Sequence, residues 1–71
     1  MKTINWAIIG LGAIADSFAR SFNVNGGTLY AAGSRSLDKA LTFTQKHAIE
    51  KAYGDYDQLV QDPKVDVVYI A

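Results

Sequence analysis

Gly10-Leu11-Gly12-Ala13-Ile14-Ala15 has the spacing G-x-G-x-x-A and lies between a short apolar run, Ile4 to Ile9, and an amphipathic stretch, Ala13 to Phe22. Residues in this pattern act through the backbone rather than through side chains. Gly10 permits a tight turn, Gly12 lets a pyrophosphate approach the main chain, and Ala15 is small enough for a helix to press on a sheet. The first N–H groups of that helix then face the phosphates, with the positive end of the helix dipole behind them. Glycine and alanine are common, so the pattern takes its meaning from the strand before it and the helix after it.

A second group, Gly33-Ser34-Arg35-Ser36, closes the next apolar run, Thr28 to Ala32. Where such a loop prefers NAD, a carboxylate stands about 20 residues past the glycines and holds the ribose 2′-hydroxyl. No acid stands there in this chain. Ser34 offers a hydroxyl and Arg35 a guanidinium, with Lys39 four residues later, about one helical turn on and on the same face. A fork of N–H donors can grip a 2′-phosphate that a carboxylate would repel. NADP(H) is therefore expected in preference to NAD(H), which stays possible. The competing reading makes Ser34 or Ser36 the N-cap of the next helix and Arg35 a solvated charge. An N-cap at Ser36 is compatible with both.

The elements that must position these groups follow from periodicity. Ile4 to Ile9 is apolar on both faces apart from Asn5, as for a strand covered on each side. Ile14, Phe18 and Phe22, with Ala15 and Ala19 beside them, form one helical stripe. Asn23 to Gly27 ends it, and Thr28 to Ala32 is the second strand. Leu37, Ala40, Leu41 and Thr44 give a second helical stripe, opened by Ser36 and Asp38 and closed near His47. Ile49 to Tyr53 reads as a short strand. Asp55-Tyr56-Asp57-Gln58 reads as a variant capping box for a helix over Tyr56 to Gln61, which Asp62-Pro63 stops. Val65 to Ala71 is the last strand. The order is β-α-β-α-β-α-β without repeats or linker, which predicts an α/β fold with a parallel sheet and right-handed crossovers.

In the doubly wound order the first strand is central and the last lies beside it, across the switch point where nucleotides bind. Nothing in the sequence covers that last strand or pairs its outer edge. The chain is therefore expected to be the first half of a longer protein, marginal in stability and prone to self-associate alone; the alternative is a small domain that oligomerises through this edge.

Composition narrows the classes. The 71 residues include no cysteine, so neither disulfides nor a thiolate metal site are available to a domain of this size. Seven basic and seven acidic residues give no net charge and no footprint for nucleic acid or an anionic membrane. Lys2 with Ala13-Ile14-Ala15 superficially resembles a secretory leader, but Asn5 and two glycines break the apolar region. No run approaches a membrane span. A cytoplasmic location is expected, and the missing cysteines fit it. His47 is the only histidine and has no partner nearby in sequence, so it is read as structural. Asp55, Asp57, Asp62 and Asp66 do not have calcium-loop spacing and are read as capping and surface groups. Tyr53, Tyr56 and Tyr69 are read as packing residues. No metal ligands are expected.

The wording of three segments goes further. "WAIIGLGAIADSFARSF", "AAGSRSLDKALTFTQKH" and "KAYGDYDQLVQDPKVDVVYIA" resemble the amino-terminal part of the glucose–fructose oxidoreductase / inositol dehydrogenase (Gfo/Idh/MocA) family over essentially the whole chain. The resemblance implies that residues 1–71 are the first part of an NAD(P)-binding Rossmann domain. It implies an oxidoreductase acting on a sugar, polyol or related alcohol, with a second α/β domain that forms the substrate site and often a homo-oligomer interface. It places Gly10, Leu11, Gly12, Ala13 and Ile14 in the pyrophosphate loop. Ser34 and Arg35 match the 2′-phosphate site of NADP-using members, Lys39 less closely, and Ala71 the strand end under the cofactor. The Thr-Pro-Asn run, the Glu-Lys-Pro motif and the later Asp and His of the family are not in this sequence. The chain thus holds no catalytic residue of the family and is expected to be inactive alone. Two other classes remain open: a non-catalytic NAD(P)-binding sensor of the same fold, and an S-adenosylmethionine-binding domain, which the missing acid after the second strand disfavours.

Overall fold

A computed structural model describes residues 3–71; Met1 and Lys2, the latter the charge of the leader-like pattern, lie outside the described residues. The strands are β1 (Ile4–Ile9), β2 (Gly27–Gly33), β3 (Lys51–Tyr53) and β4 (Val67–Ile70), and the helices are α1 (Ala13–Arg20), α2 (Leu37–His47) and α3 (Tyr56–Val60). All pairings are parallel, in the order β3-β2-β1-β4. The chain moves outward from β1 to β3 and then crosses back to place β4 on the other side of β1. The expected α/β Rossmann-type sheet with its switch point between β1 and β4 is what forms.

The sheet is covered on both faces. On one, Ala15 of α1 and Phe43 of α2 close over Ile8 and Ala32, with Ile49 sealing the end. On the other, Leu59 of α3 packs on Ala7, Tyr30 and Ala31. Ala15, Ala40 and Leu59 are fully buried. Ala15 supplies no bulk, so α1 sits close to the strands, as the third small residue of G-x-G-x-x-A requires.

Several element boundaries and faces differ from the sequence reading. α1 ends at Arg20, where Ser21 leaves helical geometry with φ −101° and ψ 8°. Phe22 leaves the helix but still packs edge-on to Trp6 and Phe18, at 5.9 and 5.6 Å between ring centroids. Ile14 is 66% exposed, because it lies in the first turn beside the glycine loop, where the sheet gives it little to pack on. The buried side of α2 is Ala40, Phe43 and Thr44, while Leu37 and Leu41 are substantially exposed. Two stripes overlapped in that sequence, and the phenyl ring of Phe43 decided which one faces the sheet. β3 starts at Lys51 rather than Ile49, whose side chain closes the core instead. α3 ends at Val60, and β4 covers only Val67 to Ile70 of the expected strand. Asp55 caps α3 through the Asp57 N–H at 2.7 Å, without the reciprocal bond expected from Gln58.

Tyrosines brace the far face. Tyr30 and Tyr53 both donate their hydroxyls to one oxygen of Asp62, at 2.9 and 2.5 Å, tying β2 and β3 to the turn after α3. Tyr69 stacks flat on Phe18, with ring centroids 4.0 Å apart. Tyr53 and Tyr69 are packing residues, as expected.

Candidate functional site

The register aligns the carboxyl ends of the strands: Ile9 stands opposite Gly33 and Ile70, and Gly33 opposite Tyr53. One step beyond that line come Gly10, Ser34, Gly54 and Ala71, so the glycine loop, the end of β2 and the end of β4 share one rim. In open α/β sheets this rim at the switch point is where ligands bind.

At its centre the chain turns on Gly10, which has φ of +82°. A Cβ there would lie 2.8 Å from the Ala71 carbonyl oxygen. Ala71 is held in place by its own N–H, which donates to the Ile9 carbonyl at 3.0 Å. Gly10 and Ala71 therefore interlock, and only glycine fits the bend. Gly12 is the opposite case. A Cβ there would meet nothing within 4 Å, so an open space lies over the N-cap of α1. Gly12 also has no side chain with which to cap the helix, whereas Ser36 caps α2 and Asp55 caps α3. The leading N–H groups of α1 are left for an external acceptor, and the room beside Gly12 suits a pyrophosphate.

A cleft of about 600 Å³ opens from this point between α1 and α2. Leu11, Gly12, Ala13 and Asp16 form one wall, and Asp38, Lys39, Thr42, Phe43 and Lys46 the other. Lys39 thus shares a cleft with the glycine loop. Arg35 does not: its guanidinium lies 5.9 Å over the Tyr56 ring, in a second cleft of about 370 Å³ with Gly54, Asp55 and Asp57. The expected common face for Arg35 and Lys39 is not formed, because Arg35 precedes α2 and helical spacing does not apply to it. Ser34 is buried; its N–H donates to the Tyr53 carbonyl at 2.9 Å, and its hydroxyl accepts from the Ser36 N–H at 3.1 Å. Ser36 is the N-cap, accepting from the Lys39 N–H at 3.4 Å. Among the described residues no acid directly follows β2 in sequence, and Asp55 and Asp57 stand beside Arg35 in the second cleft.

One cluster escaped the sequence reading. Asp16 accepts from Lys46 Nζ at 2.8 Å and from His47 Nε2 at 2.9 Å, and pairs with Arg20 Nε at 3.1 Å. The Lys46 and His47 bonds hold its carboxyl below the usual carboxylate range. His47 is structural, as read, and joins α2 to α1. Only the Asp16–Arg20 pair, four apart on one helix, carried a signal in the sequence.

Residues 4–71 match the sequence profile of the GFO_IDH_MocA family, an oxidoreductase family with an NAD-binding Rossmann fold. The chain belongs to the Gfo/Idh/MocA family. Trans-1,2-dihydrobenzene-1,2-diol dehydrogenase of Mus musculus is 39% identical over 71 residues, covering 96% of this chain, and that of Danio rerio is 37% identical over 70 residues, covering 94%. This chain spans 21% of the length of each. An NAD binding oxidoreductase from Klebsiella pneumoniae superposes with a TM-score of 0.87 at 32% identity, over 97% of this chain and 21% of that one. Scyllo-inositol dehydrogenase from Lactobacillus casei, solved with NAD(H) and scyllo-inositol, superposes with a TM-score of 0.83 at 28% identity, over 99% of this chain and 21% of that one. As a Gfo/Idh/MocA member, the chain has an NAD-binding Rossmann fold, and its cofactor is a nicotinamide dinucleotide. No helix among the described residues is long and apolar enough to cross a membrane.

Proposed function

We propose that this chain is the cofactor-binding part of a longer, NADP(H)-preferring oxidoreductase acting on a sugar, polyol or related alcohol. The observation that carries the cofactor preference is the end of β2, where Ser34 and Arg35 stand and no carboxylate does. The pyrophosphate lies on the first N–H groups of α1 in the space beside Gly12, against Leu11, Ala13 and Ile14, with Ala71 as the floor of the rim. Lys39 adds positive charge from α2. Arg35 leaves Tyr56 to reach the 2′-phosphate. That move gives up a cation–π contact of about 0.5–1 kcal/mol, less than the about 1.5–3 kcal/mol of a hydrogen bond to a charged group. When bound, the nicotinamide supplies a hydride donor or acceptor; the residues of this chain bind and orient it. The polyol reading is supported by the diol and the inositol in the relatives' names. Assembly into a homo-oligomer belongs to the same proposal.

Titrating NADPH and NADH against the intact protein and its Arg35→Ala variant tests the preference. NADPH is expected to bind more tightly than NADH. The variant is expected to lose about 1.5–3 kcal/mol for NADPH and little for NADH. Equal losses for both cofactors refute a 2′-phosphate role for Arg35.

A further inference from the structure

Asp16 is an obstacle on the wall of the first cleft. It stands in the first turn of α1, with its N–H on the Gly12 carbonyl at 3.0 Å, and it lines the cleft together with Gly12 and Ala13. It is ionised at neutral pH, since its partners hold its carboxyl low. A fixed negative charge beside the helix end that receives an anion works against that anion.

Three cationic side chains answer it, and they are not equivalent. Arg20 holds Oδ2 from the last turn of α1 and is 67% exposed. His47 holds Oδ1 with a side chain only 6% exposed, wedged against Phe43. Neither lines the cleft. Lys46 both holds Oδ1, at 2.8 Å, and lines the cleft. Asp38, the other acid on these walls, lies on α2 one residue from Lys39.

We propose that Lys46 is a positioning residue for cofactor affinity, and that it acts by cancelling the Asp16 charge at the cleft wall rather than by touching the cofactor. This rests on the dinucleotide reading of the glycine loop. It separates Lys46 from Arg35 by a simple criterion. The pyrophosphate is common to both cofactors, so Lys46 affects NADPH and NADH alike, whereas Arg35 discriminates between them. Because Lys46 is 60% exposed, its effect is also screened by salt.

The test is the dissociation constant of each cofactor for the intact protein and for Lys46→Met, Lys46→Arg, Asp16→Asn and the Asp16→Asn/Lys46→Met double variant. Lys46→Met is expected to weaken both cofactors by about the same factor, on the order of five- to tenfold at low salt, and less as salt rises. Lys46→Arg keeps the charge and is expected to bind as the unmodified protein does. In the double variant there is no charge left to cancel, so binding is expected to return to that of Asp16→Asn alone. An unchanged affinity in Lys46→Met overturns the proposal. So does a double variant as weak as Lys46→Met, which would make Lys46 a direct phosphate ligand, or a loss confined to NADPH. Should Asp16→Asn fail to fold, Asp16→Ser takes its place in the same single and double variants, since it removes the same charge. An unmodified protein that binds neither dinucleotide sinks the underlying reading as well, and that result is distinct from the other three.

Discussion

Replacing Gly10 by alanine puts a methyl group 2.8 Å from the Ala71 carbonyl oxygen, on a backbone with φ of +82°. Two costs follow. A side chain at left-handed φ is disfavoured by about 1–2 kcal/mol. The close contact is with backbone on both sides, so no side chain can swing away, and forcing it apart costs about 1–3 kcal/mol more. Relief requires moving Ala71, which is bonded to the Ile9 carbonyl at 3.0 Å, and so loosening β4 from β1. Together the loss is about 2–5 kcal/mol, a large part of the 5–15 kcal/mol typical of a folded protein. Gly12→Val in the same motif is the control. The space there is open and φ is −111°, so the fold loses only the preference for glycine over valine at an N-cap, about 1 kcal/mol. Its expected defect is in binding, because valine fills the open space proposed for the pyrophosphate. Urea denaturation of the intact protein and its two variants, with NADPH and NADH titrations on each, separates the two effects. A Gly10→Ala protein as stable as the original would refute the interlock with Ala71. A folded Gly12→Val protein with full affinity would show that the loop is only a turn.

Leu59→Ala should cost about 2–5 kcal/mol in the same denaturation experiment, since Leu59 is fully buried and is the buried residue of the five-residue α3. The Tyr30–Asp62–Tyr53 group sets both edges of a pH plateau. Burial, then the Asp62 hydrogen bond, push the Tyr30 hydroxyl up to about 12, so its stabilisation is complete below the unfolded value of about 10 and fades as pH rises through about 12. The Asp62 carboxyl is held low, first by Tyr53 and then by the Lys64 N–H. Its contribution is present above the unfolded value of about 4 and is lost as pH falls through the folded one. Tyrosinate absorbance and denaturation midpoints against pH check both; Tyr30→Phe should remove the alkaline shift of that group, and an unaltered titration would refute the assignment.

The sequence by itself determined the order of elements, the parallel sheet and the place of the glycine loop, because each depends on short-range features. Hydrophobic runs of strand length, helical stripes, Ser36 and Asp55 as caps and the G-x-G-x-x-A spacing all act within a few residues. It also showed that Ser34 and Arg35, not an acid, come directly after β2, which needs only a count along the chain. What it left open required knowing which distant residues meet. Spacing put Leu37, Ala40, Leu41 and Thr44 on the buried face of α2; packing against Ile8 and Ala32 kept Ala40 and Thr44 inside but took Phe43 in place of the two leucines. Arg35 and Lys39 looked like neighbours by spacing, but α2 begins only after Arg35, and the two side chains enter different clefts. Asp16 and Lys46 are 30 residues apart, and Asp62 receives two tyrosines from different strands. Such contacts arise because α1 and α2 lie side by side on one face while α3 crosses the other. The reason for Gly10 is of the same kind: its turn is written in the motif, but its clash partner is Ala71, which only the pairing of β4 with β1 brings within reach.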